Sequence, residues 1–251
     1  VGTAGYNQKN KIYALDKYDL SNQEWVYPAS NDAICFSAPP TIHEGKLFVT
    51  SWSGRLWDLP FVSFLNQYIG GNNKLICLNI NTGTKMWDAT LPAGSLSAPA
   101  IGGEFVYAGC QNMYGSSILA FDYSSGEKIW NTTAGIIGRS SPVFAKDKLF
   151  VLSNEKTNIS KNGEYKINCL NALNGKKLWN KSFGQMEMTN YIRGLKSTTF
   201  FYKLIEGFAP ITTPAYYDDT LYVVTPNGTL LALLSNGTEK WSYDMSGDYI
   251  D

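Results

Sequence analysis

The feature that most constrains the fold of this chain is a hairpin pattern that occurs five times. Its clearest copy is Ser117–Trp130, where a short apolar run closes with Asp122, a Ser-Ser-Gly turn follows, and a second run ends at the tryptophan. Two apolar runs joined by a glycine turn indicate a β-hairpin. The other copies end at Trp25, Trp87, Trp179 and Trp241. Regular recurrence of this kind indicates a repeat protein.

Each of the later hairpins is preceded by a second pair of apolar runs, so a full unit has four short strands, here named A, B, C and D. A small hydroxyl residue before proline precedes strand A, as in Ser97-Ala98-Pro99. Proline is tolerated at the first residue of a strand. The most compact tryptophan spacing, Trp87 to Trp130, is 43 residues, which matches the roughly 40–45 residues of a four-stranded propeller blade. The sequence therefore predicts an all-β protein, a β-propeller of four-stranded antiparallel blades.

About five blades are expected within a single partial propeller that spans residues 1–251, and the first blade is incomplete. The blades cover 1–30, 34–92, 97–134, 140–184 and 208–245. Because a propeller removes exposed sheet edges by closing its ring, we expect these blades to belong to a ring of seven or eight. Three insertions interrupt the repeat, at 55–73, 154–164 and 185–208.

The three insertions are expected at one end of the blades. Strand direction alternates in an antiparallel blade, so the B–C and D–A connections form one rim (the insertion rim) and the A–B and C–D turns form the other (the turn rim). Two insertions are rich in aromatic residues, which either pack together as a small core or form a patch for a partner protein or a sugar. Two arginines in D–A connections would bind an anion or form surface salt bridges. The candidate binding residues are Trp57, Phe61, Phe64, Tyr68, Arg139, Arg193, Phe201 and Tyr202.

Composition excludes several classes of function. The formal net charge is zero, without a basic stripe, which argues against nucleic-acid binding. No apolar stretch is long enough for a transmembrane segment. His43 is the single histidine, so a metal site with several histidines is excluded. Cys77 and Cys169 occupy the strand position that holds alanine in other repeats, which favours small buried residues over a disulfide.

The segments IYALD (12–16), LICLNINTGTKMW (75–87) and ILAFDYSSGEKIW (118–130) resemble the repeat of the PQQ-like, or quinoprotein dehydrogenase-like, β-propellers. The resemblance implies that the repeat tryptophans dock blade on blade. The structural tryptophans would be Trp25, Trp87, Trp130, Trp179 and Trp241.

Quinone-dependent dehydrogenases of this family use calcium held by acidic and amide ligands, a catalytic aspartate and often a vicinal disulfide. This chain has no adjacent cysteines, and none of its carboxylates matches those positions, so no catalytic residue, metal ligand or cofactor is predicted. The recurring Asp16, Asn79, Asp122 and Asn171 are expected to cap turns through side-chain to backbone hydrogen bonds.

Five acceptor patterns for N-glycosylation permit an exported protein, and the family resemblance implies an extracellular, cell-surface or periplasmic location. The acceptors are Asn131, Asn158, Asn180, Asn227 and Asn236. The function expected is a non-catalytic binding or assembly module that holds a protein partner or ligand on the insertion rim, where carbohydrate is a further possible ligand. The remaining blades of the same propeller would be a second partner of this chain. The alternatives are a fragment of a PQQ-dependent alcohol or sugar dehydrogenase, which would bind PQQ and calcium, and a sensor-like propeller that self-associates through an open edge.

Overall fold

A computed structural model of the chain describes residues 10–28, 36, 38–51, 73–112, 115–156, 163–186, 212–225 and 227–245. All regular secondary structure in these ranges is β-strand. The strands are β1 (Ile12–Leu15), β2 (Gln23–Tyr27), β3 (Thr41–His43), β4 (Lys46–Thr50), β5 (Lys74–Asn79), β6 (Lys85–Thr90), β7 (Ala100–Gly102), β8 (Phe105–Asn112), β9 (Gly115–Asp122), β10 (Lys128–Ala134), β11 (Val143–Ala145), β12 (Lys148–Lys156), β13 (Gly163–Asn171), β14 (Lys177–Met186), β15 (Ala215–Tyr217), β16 (Thr220–Val224), β17 (Thr229–Leu234) and β18 (Glu239–Asp244).

Within these ranges the strands form one two-stranded sheet and four four-stranded sheets. The two-stranded sheet, β1 with β2, is the C–D hairpin of blade one. In the other sheets the strands follow sequence order, from β3 to β6, β7 to β10, β11 to β14 and β15 to β18. They are strands A to D of blades two to five and pair as antiparallel neighbours. The predicted fold class, an all-β propeller of four-stranded antiparallel blades, is confirmed.

Three of the A–B hairpins close with two-residue turns in which both residues have positive φ. The angles are 43° and 74° at Glu44-Gly45, 48° and 57° at Lys146-Asp147, and 46° and 56° at Asp218-Asp219. Positive φ at both central residues is typical of type I′ turns, whose twist matches that of the flanking strands. These turns connect strands A and B tightly at the turn rim.

Three C–D turns share one six-residue geometry: Asn79–Thr84, Asp122–Glu127 and Asn171–Lys176. In each turn the side-chain oxygen of the first residue accepts the backbone N–H groups two and three residues later. The glycine at the fifth position donates its N–H to the carbonyl of the first residue. Asp and Asn make such local bonds readily, so their predicted capping role is confirmed.

The C–D turn of blade one, Asp16–Asn22, is one residue longer. Asp16 Oδ1 accepts the N–H groups of Tyr18 and Asp19, at 2.7 and 3.0 Å, so its capping role is confirmed as well. The N–H of Asp16 then donates to the carbonyl of Asn22, six residues later rather than five. The turn contains no glycine, and the side chains at its tip are exposed.

The chain divides into two compact units, Val1–Asn131 and Thr132–Asp251. In the first unit, the core between blades two and three contains Phe48, Leu75, Val106 and Phe121 with Trp87. A second cluster joins blades one and two around Ile12, Trp25 and Val49. Trp25 and Trp87 are almost fully buried, with exposed fractions of 8% and 9%.

In the second unit, the core between blades four and five contains Phe150, Ile167, Leu221 and Leu233. The half-buried Trp179 packs against this core, and its Nε1 donates to the carbonyl of Ser235, in the C–D turn of blade five, at 3.2 Å. Trp241, in the equivalent position of blade five, has an exposed fraction of 42%. Cys77, Cys110 and Cys169 are buried free thiols on strands, as predicted for Cys77 and Cys169.

The predicted insertions lie mostly outside the described residues. Of the segment 55–73 only Asn73 is described, and of 185–208 only Gln185 and Met186, which belong to β14. The segment 154–164 begins and ends in paired strands, because Asn154 pairs with Tyr165 and Glu155 with Glu164. Strands B and C of blade four therefore extend beyond the lengths seen in blade two.

Candidate functional site

Most of the predicted binding residues lie outside the described part of the chain. They are Trp57, Phe61, Phe64, Tyr68, Arg193, Phe201 and Tyr202. Arg139 is described, and it lies in the D–A connection between blades three and four. The candidate site that the structure describes is therefore the protein layer directly beneath the insertion rim.

Arg139 is exposed between two buried residues of its connection. Gly138, before it, has a φ of 58°, which glycine adopts without steric cost. Ser140, after it, is completely buried, and its N–H donates to the carbonyl of Ile137 at 3.1 Å. Within the described residues the Ser140 hydroxyl has no hydrogen-bond partner. The connection thus carries an exposed arginine directly before a buried serine.

Asn154, at the insertion-rim end of strand β12, is fully buried and holds the same connection through its backbone. Its N–H donates to the carbonyl of Ile136 at 2.8 Å, and its carbonyl accepts the N–H of Ile136 at 2.9 Å. Neither polar atom of its side chain has a partner among the described residues. The side chain fits only because residue 163 is glycine, since a Cβ there would lie 1.8 Å from Asn154 Oδ1.

Strand C and the connection into blade five add further polar groups at this rim. The hydroxyl of the buried Tyr165 is hydrogen-bonded to Thr212, and burial raises the pKa of Tyr165 well above its usual value. Thr213 Oγ1 accepts the N–H of Ser141 at 3.1 Å, which ties the connections into blades four and five together. Asn168 Nδ2 donates to Ser153 Oγ at 2.8 Å.

The first unit has a comparable buried polar layer beneath its insertion rim. Thr50 Oγ1 and Ser95 Oγ both donate to the carbonyl of Ser97, at 2.9 and 3.3 Å. Gln111 donates its N–H to the carbonyl of Gly94 at 2.9 Å, a bridge equivalent to that between Asn154 and Ile136 in the second unit. The Ser97 hydroxyl, like that of Ser140, has no hydrogen-bond partner within the described residues.

Both layers consist of neutral amides and hydroxyls, which hold the D–A connections in place and offer hydrogen bonds. Sequence reasoning missed Ser140, Asn154 and Asn168. A usable signal existed, because Ser97 and Ser140 recur two residues before proline, and Gln111 and Asn154 recur at the end of strand B.

The carboxylates of the described residues are not gathered into a calcium site. Calcium takes six to eight oxygen ligands, several of them carboxylates. In the ranges that the structure describes, no group of three or more His, Cys, Asp or Glu side chains could hold a metal ion. The buried polar side chains beneath the insertion rim are uncharged, with pairs of amide and hydroxyl groups such as Asn168 and Ser153.

The acceptor asparagines that the structure describes are all exposed: Asn131, Asn180, Asn227 and Asn236. Asn158 lies outside the described residues. Asn236 Oδ1 accepts the N–H of Thr238 in the C–D turn of blade five, at 2.9 Å. The described ranges contain no helix that is long and apolar enough to cross a membrane.

No curated protein sequence matches this chain. Among solved structures, it is similar to BamB from Moraxella catarrhalis, with 15% identity over 96% of this chain and 71% of that chain and a TM-score of 0.48. It is also similar to the quinohemoprotein alcohol dehydrogenase from Comamonas testosteroni, with 15% identity over 97% of this chain and 41% of that chain and a TM-score of 0.62. A europium-containing methanol dehydrogenase is similar at 13% identity, over 97% of this chain and 48% of that chain, with a TM-score of 0.64.

The chain spans less than half the length of these two dehydrogenases, and its likeness to them shows the propeller fold. A family model described as outer membrane protein assembly factor BamB matches residues 8–201, more than half of the chain. This chain therefore belongs to the PQQ-like repeat family that the BamB assembly-factor model describes.

Proposed function

We propose that this chain is a non-catalytic β-propeller module that binds a partner protein or supports assembly on an exported or cell-surface protein. The observation that carries the proposal is the match of residues 8–201 to a family described as an outer membrane assembly factor. The layer of amide and hydroxyl groups beneath the insertion rim agrees with a binding role, because its hydrogen bonds hold the connections of that rim in place. Loops on a rigid scaffold commonly carry binding residues.

The proposed binding surface is the insertion rim. Arg139 is exposed there, and the buried Ser140 and Asn154 fix the backbone of its connection. The aromatic residues of the two apolar insertions would supply the anchors, since large aromatic side chains dominate many protein interfaces. The proposed anchors are Trp57, Phe61, Phe64, Tyr68, Phe201 and Tyr202, with Arg193 as a second cation.

The proposed location is extracellular, periplasmic or on the cell surface. The family description names an outer membrane assembly factor, and the described acceptor asparagines are exposed. We propose Asn131, Asn180, Asn227 and Asn236 as acceptors where the host glycosylates exported proteins. A mass shift that is removed by an amidase specific for N-glycans would support this, and unmodified protein from such a host would contradict it.

The binding surface is tested with substitutions on the insertion rim in the full-length protein. Quantitative affinity capture from the native cells should identify proteins that the double variant Trp57→Ser/Phe61→Ser and the single variant Arg139→Ala no longer retain. Leu178→Ser is the matched control, because Leu178 is an exposed apolar residue on the outer strand of blade four. Equal capture by all variants would place the partner elsewhere.

The alternative function is that of a fragment of a PQQ-dependent alcohol or sugar dehydrogenase, and the likeness to two dehydrogenase structures favours testing it. A dye-linked dehydrogenase assay with added PQQ and calcium decides between the two. The binding module should give no turnover with alcohols or sugars. Turnover that depends on both additions would replace the proposal. A glycan array tests carbohydrate as a further ligand.

A further inference from the structure

Within the described residues, each four-stranded blade has two sheet edges, an inner one at strand A and an outer one at strand D. The inner strands β3, β7, β11 and β15 have only three residues each. A proline directly precedes each of them, and proline lacks the N–H group that would extend the ladder. The prolines are Pro40, Pro99, Pro142 and Pro214. Short edge strands and edge prolines both hinder the addition of a further strand.

The outer strands are longer, and they are interrupted instead. Strands β2, β6, β14 and β18 have five, six, ten and six residues. In each of them the register with strand C shifts by one extra residue directly before the tryptophan. Such an extra residue is a β-bulge, which bends the strand and disrupts its ladder. The extra residues are Glu24, Met86, Leu178 and Lys240.

The longest outer strand, β14, is interrupted a second time. Two of its residues, Phe183 and Gly184, together lie opposite Tyr165 of strand β13. Gly184 has a φ of 90°, and a Cβ there would meet nothing within 4 Å, so close packing against this glycine does not explain the bulge. The two bulges leave a regular run of four residues, Trp179–Ser182.

The other outer strands show the same limit. Beyond their bulges, β6 and β18 have regular runs of four residues, Trp87–Thr90 and Trp241–Asp244, and β2 has a run of three, Trp25–Tyr27. A strand of ten residues and a strand of six thus present regular edges of equal length. Strands in globular proteins usually have about five or six residues, so each run is shorter than the strand that it would have to hold.

The bulges are not needed to direct the tryptophans toward the next blade. Trp87 lies opposite Cys77, and both belong to the core between blades two and three. Lys85 lies opposite Leu78, the neighbour of Cys77 on β5. Both pairs would therefore persist if Met86 were absent. The extra residue, whose side chain has an exposed fraction of 50% in Met86, acts on the outer edge of the blade.

We propose that the bulges of the outer strands are a guard against strand addition. They limit the regular hydrogen-bonding edge of blades one, two, four and five to four residues or fewer, which prevents an extended segment of another chain from pairing there. The inner edges are protected by their short strands and prolines. This inference rests on the strand registers, and it is independent of the proposed binding function.

The test lengthens the regular edge of β14 in the full chain and follows self-association by light scattering over a range of concentrations. Removal of Leu178 extends the run to five residues, removal of Gly184 to seven and removal of both to eight. Association relative to the wild type should increase in that order, with an average mass about twofold higher for the longest edge. The backbone amides of β14 should gain about tenfold protection from hydrogen exchange in the associated form.

Two controls separate edge pairing from other causes of association. Leu178→Ser keeps the bulge and changes only its side chain, and Gly45→Ala strains a turn with a φ of 74° without altering an outer strand. Both should keep the mass of the wild type. Removal of Gly184 alone leaves the bulge at Trp179 in place, so this variant decides the question if the double removal does not fold. The proposal is overturned if the Gly184 variant keeps the wild-type mass, if its unfolding midpoint falls without association, or if a control associates to the same extent.

Discussion

Trp25 packs directly on Gly83, in the C–D turn of the next blade. A Cβ added at Gly83 would lie 2.5 Å from Trp25 Cε3, closer than carbon atoms approach in folded proteins. The indole Nε1 of Trp25 also donates to the carbonyl of Ile80, in the same turn, at 2.8 Å. Trp87 packs in the same way on Gly126, where an added Cβ would lie 2.5 Å from Trp87 Cε3. This contact between successive blades therefore requires a glycine.

Gly83→Ala should destabilise the protein far more than Gly45→Ala. Both glycines have positive φ, 65° and 74°, but a Cβ at Gly45 would meet nothing within 4 Å. Gly45→Ala should cost about 1 kcal/mol for the backbone conformation. Gly83→Ala should cost about 3 kcal/mol, because overpacking against Trp25 adds to the backbone term. Urea unfolding curves measure both, and equal midpoints for the two variants would contradict the packing explanation.

Gly163 and Asn154 should show strong energetic coupling. Gly163→Ala places a Cβ 1.8 Å from Asn154 Oδ1, and overpacking of this kind costs about 1–3 kcal/mol. In an Asn154→Ala background the neighbouring side-chain atoms are gone, so the same change should cost less than about 1 kcal/mol. A double-mutant cycle should give a coupling energy of about 1–2 kcal/mol, within the range seen for residues in contact. Additive effects would show that the two residues do not share this space.

Stability at low pH should depend on Asp219. The Tyr216 hydroxyl, at 2.8 Å, and then Lys146 and Ser235 lower the pKa of Asp219 from 3.8 to about 2. Because the folded pKa lies below the unfolded one, ionised Asp219 stabilises the fold above about pH 4. This contribution is lost as the pH falls from about 4 to about 2. Asp219→Asn should therefore flatten the pH dependence of the unfolding midpoint in that window.

Tyr216→Phe tests the cause of the shift. The substitution removes the donor but keeps an aromatic ring to stack on Phe150, whose centroid is 5.9 Å away. The pKa of Asp219 should rise toward its usual value in a carboxyl carbon NMR titration. Asp218→Asn, in the same turn, leaves the contact between Tyr216 and Asp219 in place and should preserve the shift. An unchanged titration of Asp219 in Tyr216→Phe would reject the hydroxyl as the main cause.

Asp122 should tolerate asparagine but not alanine. Its Oδ1 accepts the N–H groups of Ser124 and Ser125 and the hydroxyl of Ser125, at 2.9, 2.7 and 2.8 Å. Asparagine can accept the same bonds and occupies the equivalent positions 79 and 171. Asp122→Asn should therefore change stability by less than about 0.5 kcal/mol, and Asp122→Ala should cost about 1 kcal/mol. Thermal unfolding of the two variants checks this, and similar losses in both would contradict it.

The blade pattern could be predicted from sequence because each of its parts has a local physical cause. Proline before strand A, glycine in the C–D turn and alternating apolar strands are all short-range signals. The capping by Asp16, Asn79, Asp122 and Asn171 followed from the same reasoning, and the structure bears it out. The family resemblance rested on these segments, and the family model matches over them.

The recurrence of Ser97 and Ser140 two residues before proline marks positions of the polar layer beneath the insertion rim, but the burial of that layer depends on contacts between distant residues. Nothing local distinguishes Asn154 from an exposed asparagine at a strand end, and its burial depends on Gly163 and on the bridge to Ile136. The absence of a glycine from the blade-one turn was visible, but its consequence required knowing that Trp25 covers Gly83 in the next turn.

Blades two to five each carry both a tryptophan on strand D and a glycine in the C–D turn, as blade two does with Trp87 and Gly83. A gene segment encoding one such blade therefore encodes both the tryptophan and the glycine that form the contact between neighbouring blades. Duplication of that segment would lengthen the array without requiring a new interface to evolve. Blade one is the exception, because its C–D turn contains no glycine on which the indole of a blade copied in front of it could pack.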